Sequence, residues 1–211
     1  GYDVPMRGEL LWAYEGSNQY WGQILTARSG MFTRQQGLDY LASVAATYQY
    51  RVGREWRSVT DTGNDPIIAA RRPTPWVSYS RSEDYYSEGL LVWLDADTLI
   101  RQRTGGRRSL DDFARRFYGV PSENGSRRVN TFTFDDVVAN LNAVMPYDWA
   151  TFLRERFEAA DTEPPLDGIE RGGWRLVYTE ERSAYQRAAE SYGKTASFAY
   201  SIGLTFSDGN T

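Results

Sequence analysis

The 211 residues contain no histidine and no cysteine. Protein zinc sites are built mostly from imidazole and thiolate, with carboxylate as the remaining ligand. The double absence excludes a self-contained catalytic zinc site, a zinc finger, a Ser-His-Asp triad and a Cys-His dyad within this chain. It excludes disulfides as well. Long apolar runs are also missing. The longest, Gly89-Leu90-Leu91-Val92-Trp93-Leu94, falls far short of the ~20 residues a membrane span needs. No excess charge of one sign marks a nucleic-acid or anionic-membrane partner: 28 acidic against 24 basic residues leave a net charge of −4, which disfavours both. No internal repeat, low-complexity segment or signal peptide is visible.

What the chain has in quantity is aromatic side chains, at 15%: seven Trp, fifteen Tyr and nine Phe. They fit a large aromatic core, or a ring-lined cleft for sugar or peptide. Paired with two carboxylates, such a cleft would suit a helical glycoside hydrolase.

The periodicity predicts a mainly α fold with a short β region near the C-terminus. A first helix is expected over Glu9–Ser29, with Leu10, Tyr14, Trp21, Ile24 and Leu25 on one stripe and Gly30 as its stop. Thr33 and Gln36 form a capping box for a second helix to about Val52. Arg54–Ser80, with Gly63-Asn64-Asp65-Pro66 and Pro73-Thr74-Pro75, reads as a long loop, packed onto the body through Trp56, Ile67, Ile68 and Trp76. A third helix, Ser82–Arg103, is apolar on every side over Leu90–Leu94 and should be central. Gly105-Gly106 ends it. Ser109 with Asp112 starts a fourth through Phe117, ended by Gly119 and Pro121. Thr133 with Asp136 starts a fifth through Val144, and Asp148 a sixth through about Ala159.

Asp161–Asp167 is a linker. Trp174–Tyr178 reads as a strand, Glu181–Tyr192 as a short helix, and Phe198–Phe206 as a strand before a turn at Ser207-Asp208-Gly209-Asn210. The expected divisions are a helical unit over 1–160, a linker and strand/helix lead-in over 161–197, and the start of a further unit over 198–211. Gly1 and Thr211 read as cuts in a longer chain. The arginine clusters at 101/103/107/108, 115/116 and 127/128 fall near helix ends and read as solvated faces. Asp95 and Asp97, on the buried third helix, need partners, for which the nearby arginines are candidates, and read as structural.

Glu15 stands out. It sits between Tyr14 and Trp21 in an aromatic helix, roughly 130° from the apolar stripe, on a face shared with Leu11, Asn18 and Gly22. A carboxylate there is costly to bury unless it is paired, solvated or bound to a metal.

LLWAYEGSNQYWGQILTARSGM, from Leu10 to Met31, resembles the segment after the HExxH helix in the glycyl aminopeptidase family, which are zinc peptidases of the gluzincin type with a C-terminal PDZ domain. Three further segments fit the same family in order. SRSEDYYSEGLLVWL (80–94) resembles its S-Y-Y-x-K-G helix, RTGGRRSLDDF (103–113) its R-T-G-G-x-x-S-L-D-D segment, and residues 172–206 the lead-in to PDZ. The resemblance implies the helical C-terminal subdomain of a thermolysin/aminopeptidase-like catalytic domain, and a truncated PDZ-like start near Tyr200–Thr211. It implies peptide hydrolysis from the N-terminus, with small residues such as Gly or Ala favoured.

By the same resemblance Glu15 is the third zinc ligand. The two His ligands and the general base of HExxH would then precede Gly1. This chain alone should bind no zinc tightly and be inactive. Tyr86 would be the oxyanion donor, with Tyr85 in that role if the register slips by one; read bare, Tyr86 is a core tyrosine on the face of Leu90, Trp93 and Ile100. Gln19, one turn after Glu15, is either a ligand-orienting partner or a surface residue. One departure stands out: Glu88 occupies the place of the family's Lys. That leaves open a non-catalytic peptide-binding scaffold that kept the fold and lost the chemistry.

Overall fold

The structure is a computed structural model describing residues 3–4, 7–68, 75–119, 131–161 and 163–207. The side chains of Ile67 and Ile68 lie outside that description. So do Pro73, Pro121, Arg127, Arg128, the turn residues 208–210 and Thr211.

Short-range side-chain chemistry fixes where the helices begin. Thr33 and Gln36 exchange hydrogen bonds (3.2 and 2.8 Å) at the start of the helix that begins at Arg34. The Ser109 N–H donates to Asp112 (3.0 Å) and the Thr133 N–H to Asp136 (2.8 Å) in two further capping boxes. Asp148 accepts from the Thr151 N–H at 3.1 Å. The order is a π-helical turn Trp12–Gly16 running into α1 (Ser17–Arg28), then α2 (Arg34–Gln49) and α3 (Ser87–Thr104). Then come α4 (Leu110–Phe117), α5 (Phe134–Val144), α6 (Trp149–Phe157), α7 (Asp167–Arg171) and α8 (Ala184–Gly193), and a hairpin of β1 (Thr195–Phe198) and β2 (Leu204–Ser207). The fold is mainly helical, as the periodicity predicts.

α3 is the central helix. Leu90, Leu91, Val92, Trp93, Ala96 and Ile100 are all at most 1% exposed. The π turn and α1 pack on it from one direction and α7 from another. Gly168 of α7 abuts its backbone, where a Cβ would stand 2.5 Å from the Asp95 nitrogen. The core is aromatic: Trp12 stacks on Phe157 (4.2 Å) and leans on Trp93 (6.1 Å), which meets Phe113 (5.4 Å). The buried carboxylates do find arginines. Asp95 pairs with Arg156 (2.8 Å) and with Arg171, tying α3 to α6 and α7. Asp97 takes Arg101 (2.8 Å) and the Leu110 N–H (2.7 Å) at the head of α4.

Four expectations need correction. The third helix starts at Ser87, not Ser82, because residues 81–86 form an irregular turn with Arg81 and Glu83 at positive φ. The 54–80 region carries a 3₁₀ turn (Val52–Glu55) and single helical turns at Val59–Thr62, Asp65–Ile68 and Val77–Ser80. Its Trp56 and Trp76 are 52% and 81% exposed rather than packed down; Trp56 pairs locally, its ring 5.6 Å from Tyr79 and its N–H on the Tyr79 carbonyl.

Trp174–Tyr178 is not a strand. Among the described residues it has no ladder partner; it lies instead along α2, with Trp174 under the Arg34 guanidinium and the Tyr178 hydroxyl donating to Gln49. Phe198–Phe206 is not one strand but the end of β1, a turn through Gly203 (φ +74°) and β2, paired antiparallel with Phe198 opposite Leu204. Among the described residues no helix is long and apolar enough to cross a membrane.

Candidate active site

The site begins at the π turn. Ser17 Oγ lies 2.6 Å from the Ala13 carbonyl, 2.9 Å from that of Tyr14 and 2.7 Å from the Tyr118 hydroxyl. A hydroxyl inserted among the carbonyls of the preceding turn accompanies the wider winding there, and π turns gather at functional positions. Trp12 anchors the turn from inside, its carbonyl accepting the Trp93 indole N–H at 3.1 Å. Glu15 is thereby held half-buried at the edge of the core.

Gly16, the next residue, lets the turn press against α3. A Cβ on Gly16 would stand 2.8 Å from the Tyr85 carbonyl oxygen and 3.0 Å from the Gly89 Cα. The contact brings Glu15 to Tyr86, the residue just before α3. Partial burial, and then the nearby Glu15 charge, push the Tyr86 phenol up from its usual value. It therefore stays protonated, a neutral donor. Tyr85 lies alongside, its ring 4.7 Å from that of Tyr86 and only 2% exposed. Burial again pushes its phenol up, with Glu83 and Tyr86 adding to the effect. Tyr86, not Tyr85, is the more open of the two. Gln19 is half-buried one turn beyond Glu15 in α1.

Glu88 turns away from this site. It is fully buried and paired with both Arg54 and Arg81. Arg81 also binds Asp84 (2.8 Å), which accepts from Tyr48 (3.1 Å) and faces Arg51 (3.4 Å). Burial, and then the nearby Arg81 guanidinium, pull Arg54 down to about 10. The sequence reading missed this cluster because its members lie far apart, Arg54 and Glu88 by 34 positions. A signal exists in the spacing: Arg51, Arg54 and Arg57 recur every third residue, and Asp84 and Glu88 are one helical turn apart.

A cavity of about 250 Å³ opens between the end of α6 and residues 163–167, lined by Arg54, Glu155, Arg156 and Asp167 among others. Neither Glu15 nor Tyr86 lines it, and its arginines are already engaged with Glu88, Asp95 and Asp167. Among the described residues no three His, Cys, Asp or Glu side chains gather as a metal site.

Residues 1–92 match the M61 glycyl aminopeptidase family. The matched stretch of this peptidase family holds Glu15, Gly16, Tyr85, Tyr86 and Gly89, and it stops inside α3. It bears out the resemblance read from the 10–31 segment and from the 80–94 segment as far as residue 92; the 103–113 and 172–206 segments lie outside it. No curated protein matches the chain.

Proposed function

We propose that this chain supplies the Glu and Tyr half of a zinc aminopeptidase active site. The observation that carries the reading is the Gly16–Gly89 backbone contact, which sets the segments bearing Glu15 and Tyr86 side by side inside the stretch that matches the glycyl aminopeptidases. Glu15 fits one position of a zinc site: it is a hard oxygen donor, anchored by its backbone and still partly open. One carboxylate cannot hold zinc alone, so the other ligands and the general base would come from outside these 211 residues. When bound, zinc would polarise the scissile carbonyl as a Lewis acid. Tyr86, kept protonated, would donate a hydrogen bond where negative charge develops on that oxygen. Peptides cleaved from the N-terminus, with Gly or Ala favoured in first place, are the substrate class this reading implies.

Glu88 no longer speaks for a scaffold that has lost its chemistry, since its charge is absorbed by Arg54 and Arg81 away from Tyr86. The glycoside hydrolase reading draws no support from the buried acids, which are tied to arginines.

The test is made on the full-length protein with alanyl-p-nitroanilide as substrate and metal content measured by mass spectrometry. Glu15→Gln should lose zinc and activity together. Tyr86→Phe should keep zinc and lose kcat by ~10²–10³-fold. Full activity in Glu15→Gln would remove the ligand assignment.

A further inference from the structure

The turn that delivers Tyr86 is held in backbone its residues disfavour. Arg81 has φ +52° and ψ 147°, and Glu83 has φ +50°. Such conformations are costly for a residue with a Cβ and persist only where surrounding contacts over-determine them. Here those contacts are ionic and buried. Every nitrogen of the Arg81 guanidinium is used: Nε on Asp84 (2.8 Å), Nη2 on Glu88 and Nη1 on the Arg57 carbonyl. The second oxygen of Glu88 takes Arg54. Arg57 in turn donates to the Ser80 and Arg81 carbonyls (3.0 and 2.9 Å), and the strained Glu83 N–H donates to Asp65 (3.1 Å).

Gly53 clears the path for this side chain. A Cβ there would stand 2.4 Å from Arg81 Cγ. Apolar residues would fill the same space at no greater cost in stability, because desolvating buried charges offsets most of their attraction. A guanidinium fork specifies something packing does not: a fixed angle between the turn and the helix that follows.

We propose that the buried Arg81–Glu88 pair is a positioning device for Tyr86, fixing the strained 81–86 turn so that the phenol meets Glu15. The proposal rests on the peptidase reading given above. The pair touches no substrate; it acts through Tyr86. Its loss should lower kcat and leave KM nearly alone, whereas loss of an equally buried ion pair elsewhere on α3 should lower stability only.

The experiment compares Glu88→Gln, Asp95→Asn, Tyr86→Phe and the double variant E88Q/Y86F in the full-length protein, by thermal melting and by kcat and KM on alanyl-p-nitroanilide. Glu88→Gln should lower kcat ~10–100-fold with KM within about twofold. Asp95→Asn should lower Tm without lowering kcat. In the Tyr86→Phe background Glu88→Gln should cost little more, since both changes remove one function. Full additivity in the double variant, or an unchanged kcat in Glu88→Gln, would overturn the proposal. Should Glu88→Gln fail to fold, Arg81→Lys, which keeps the charge and loses the fork, is judged by the same criteria.

Failure of the peptidase reading looks different. It shows as Tyr86→Phe with wild-type kcat, or as a wild-type protein without peptidase activity. Amide hydrogen exchange then decides the positioning role: Glu88→Gln should speed exchange at residues 81–86 where Asp95→Asn does not, and equal exchange in the two would overturn it.

Discussion

Gly16 and Gly89 touch backbone to backbone: a Cβ on Gly89 would stand 2.8 Å from the Gly16 Cα. Neither glycine is needed for positive φ, so the requirement is one of room. Gly89→Ala should push the π turn off α3, at a cost of about 1–3 kcal/mol for overpacking, and draw Tyr86 away from Glu15. In the full-length protein kcat should fall by more than the loss of folded protein explains, read from Tm and active-site titration. Gly22→Ala is the contrast. It lies exposed in α1 with nothing within 4 Å of its absent Cβ, so it should gain about 1 kcal/mol from helix propensity with activity unchanged.

Asp95 holds three helices by charge. It is fully buried and receives Arg156 at 2.8 Å and Arg171. Asp95→Ala leaves two guanidinium groups facing an empty acceptor site, and breaking a buried pair in this way costs about 3–5 kcal/mol. Urea unfolding should show a midpoint shift of that order. A loss below about 1 kcal/mol would mean that water reaches both arginines.

The Arg28–Asp111 pair gives a pH signature. Arg28 makes two hydrogen bonds to the Asp111 carboxylate, at 2.7 and 2.8 Å. Those bonds are the main reason that carboxyl is held below its usual value. A depressed carboxyl stabilises the fold above its unfolded pKa, about 3.9, and that contribution disappears as pH falls through the folded value. The Tm difference between the wild type and Arg28→Ala should therefore be constant from neutrality down to about pH 5 and then shrink as the pH falls on through the lowered folded value. Both side chains are partly open to solvent, so the difference should also shrink in high salt.

The 211-residue chain by itself should show no sub-micromolar zinc binding by titration calorimetry. It carries no histidine or cysteine, and zinc affinity of that order needs three or four protein ligands. Tight binding would place a complete site within the chain and would overturn the assignment of Glu15 as one ligand among several from elsewhere.

Sequence reasoning succeeds here where the chemistry is short-range and fails where a partner is distant. Thr33, Ser109, Thr133 and Asp148 announce helix starts because each bond closes within three residues. The apolar run 90–94 announces the central helix. Trp174–Tyr178 has strand composition, yet strand formation needs a neighbour and this segment finds α2 instead. Trp56 looks like a core residue but meets Tyr79 at the surface.

At the site, Glu15 is conspicuous as a carboxylate among rings, and the pattern around it suggests its role. The Gly16–Gly89 contact and the π turn are invisible, because both depend on how two remote segments fit. The charge of Glu88 is legible only as an anomaly until Arg54 and Arg81 are seen beside it.

The π turn also sets an opposition between fold and chemistry. It inserts one residue more than a regular helical turn holds, which rotates everything on its N-terminal side by about 100° relative to α1. Within that turn Trp12 faces the core and Glu15 sits half-buried at its edge. Shortening the turn by one would restore an unbroken α-helix with better backbone bonding, and would swing the carboxylate out of the phenol's reach. At this point in the chain a more regular helix and the approach of Glu15 to Tyr86 pull in opposite directions.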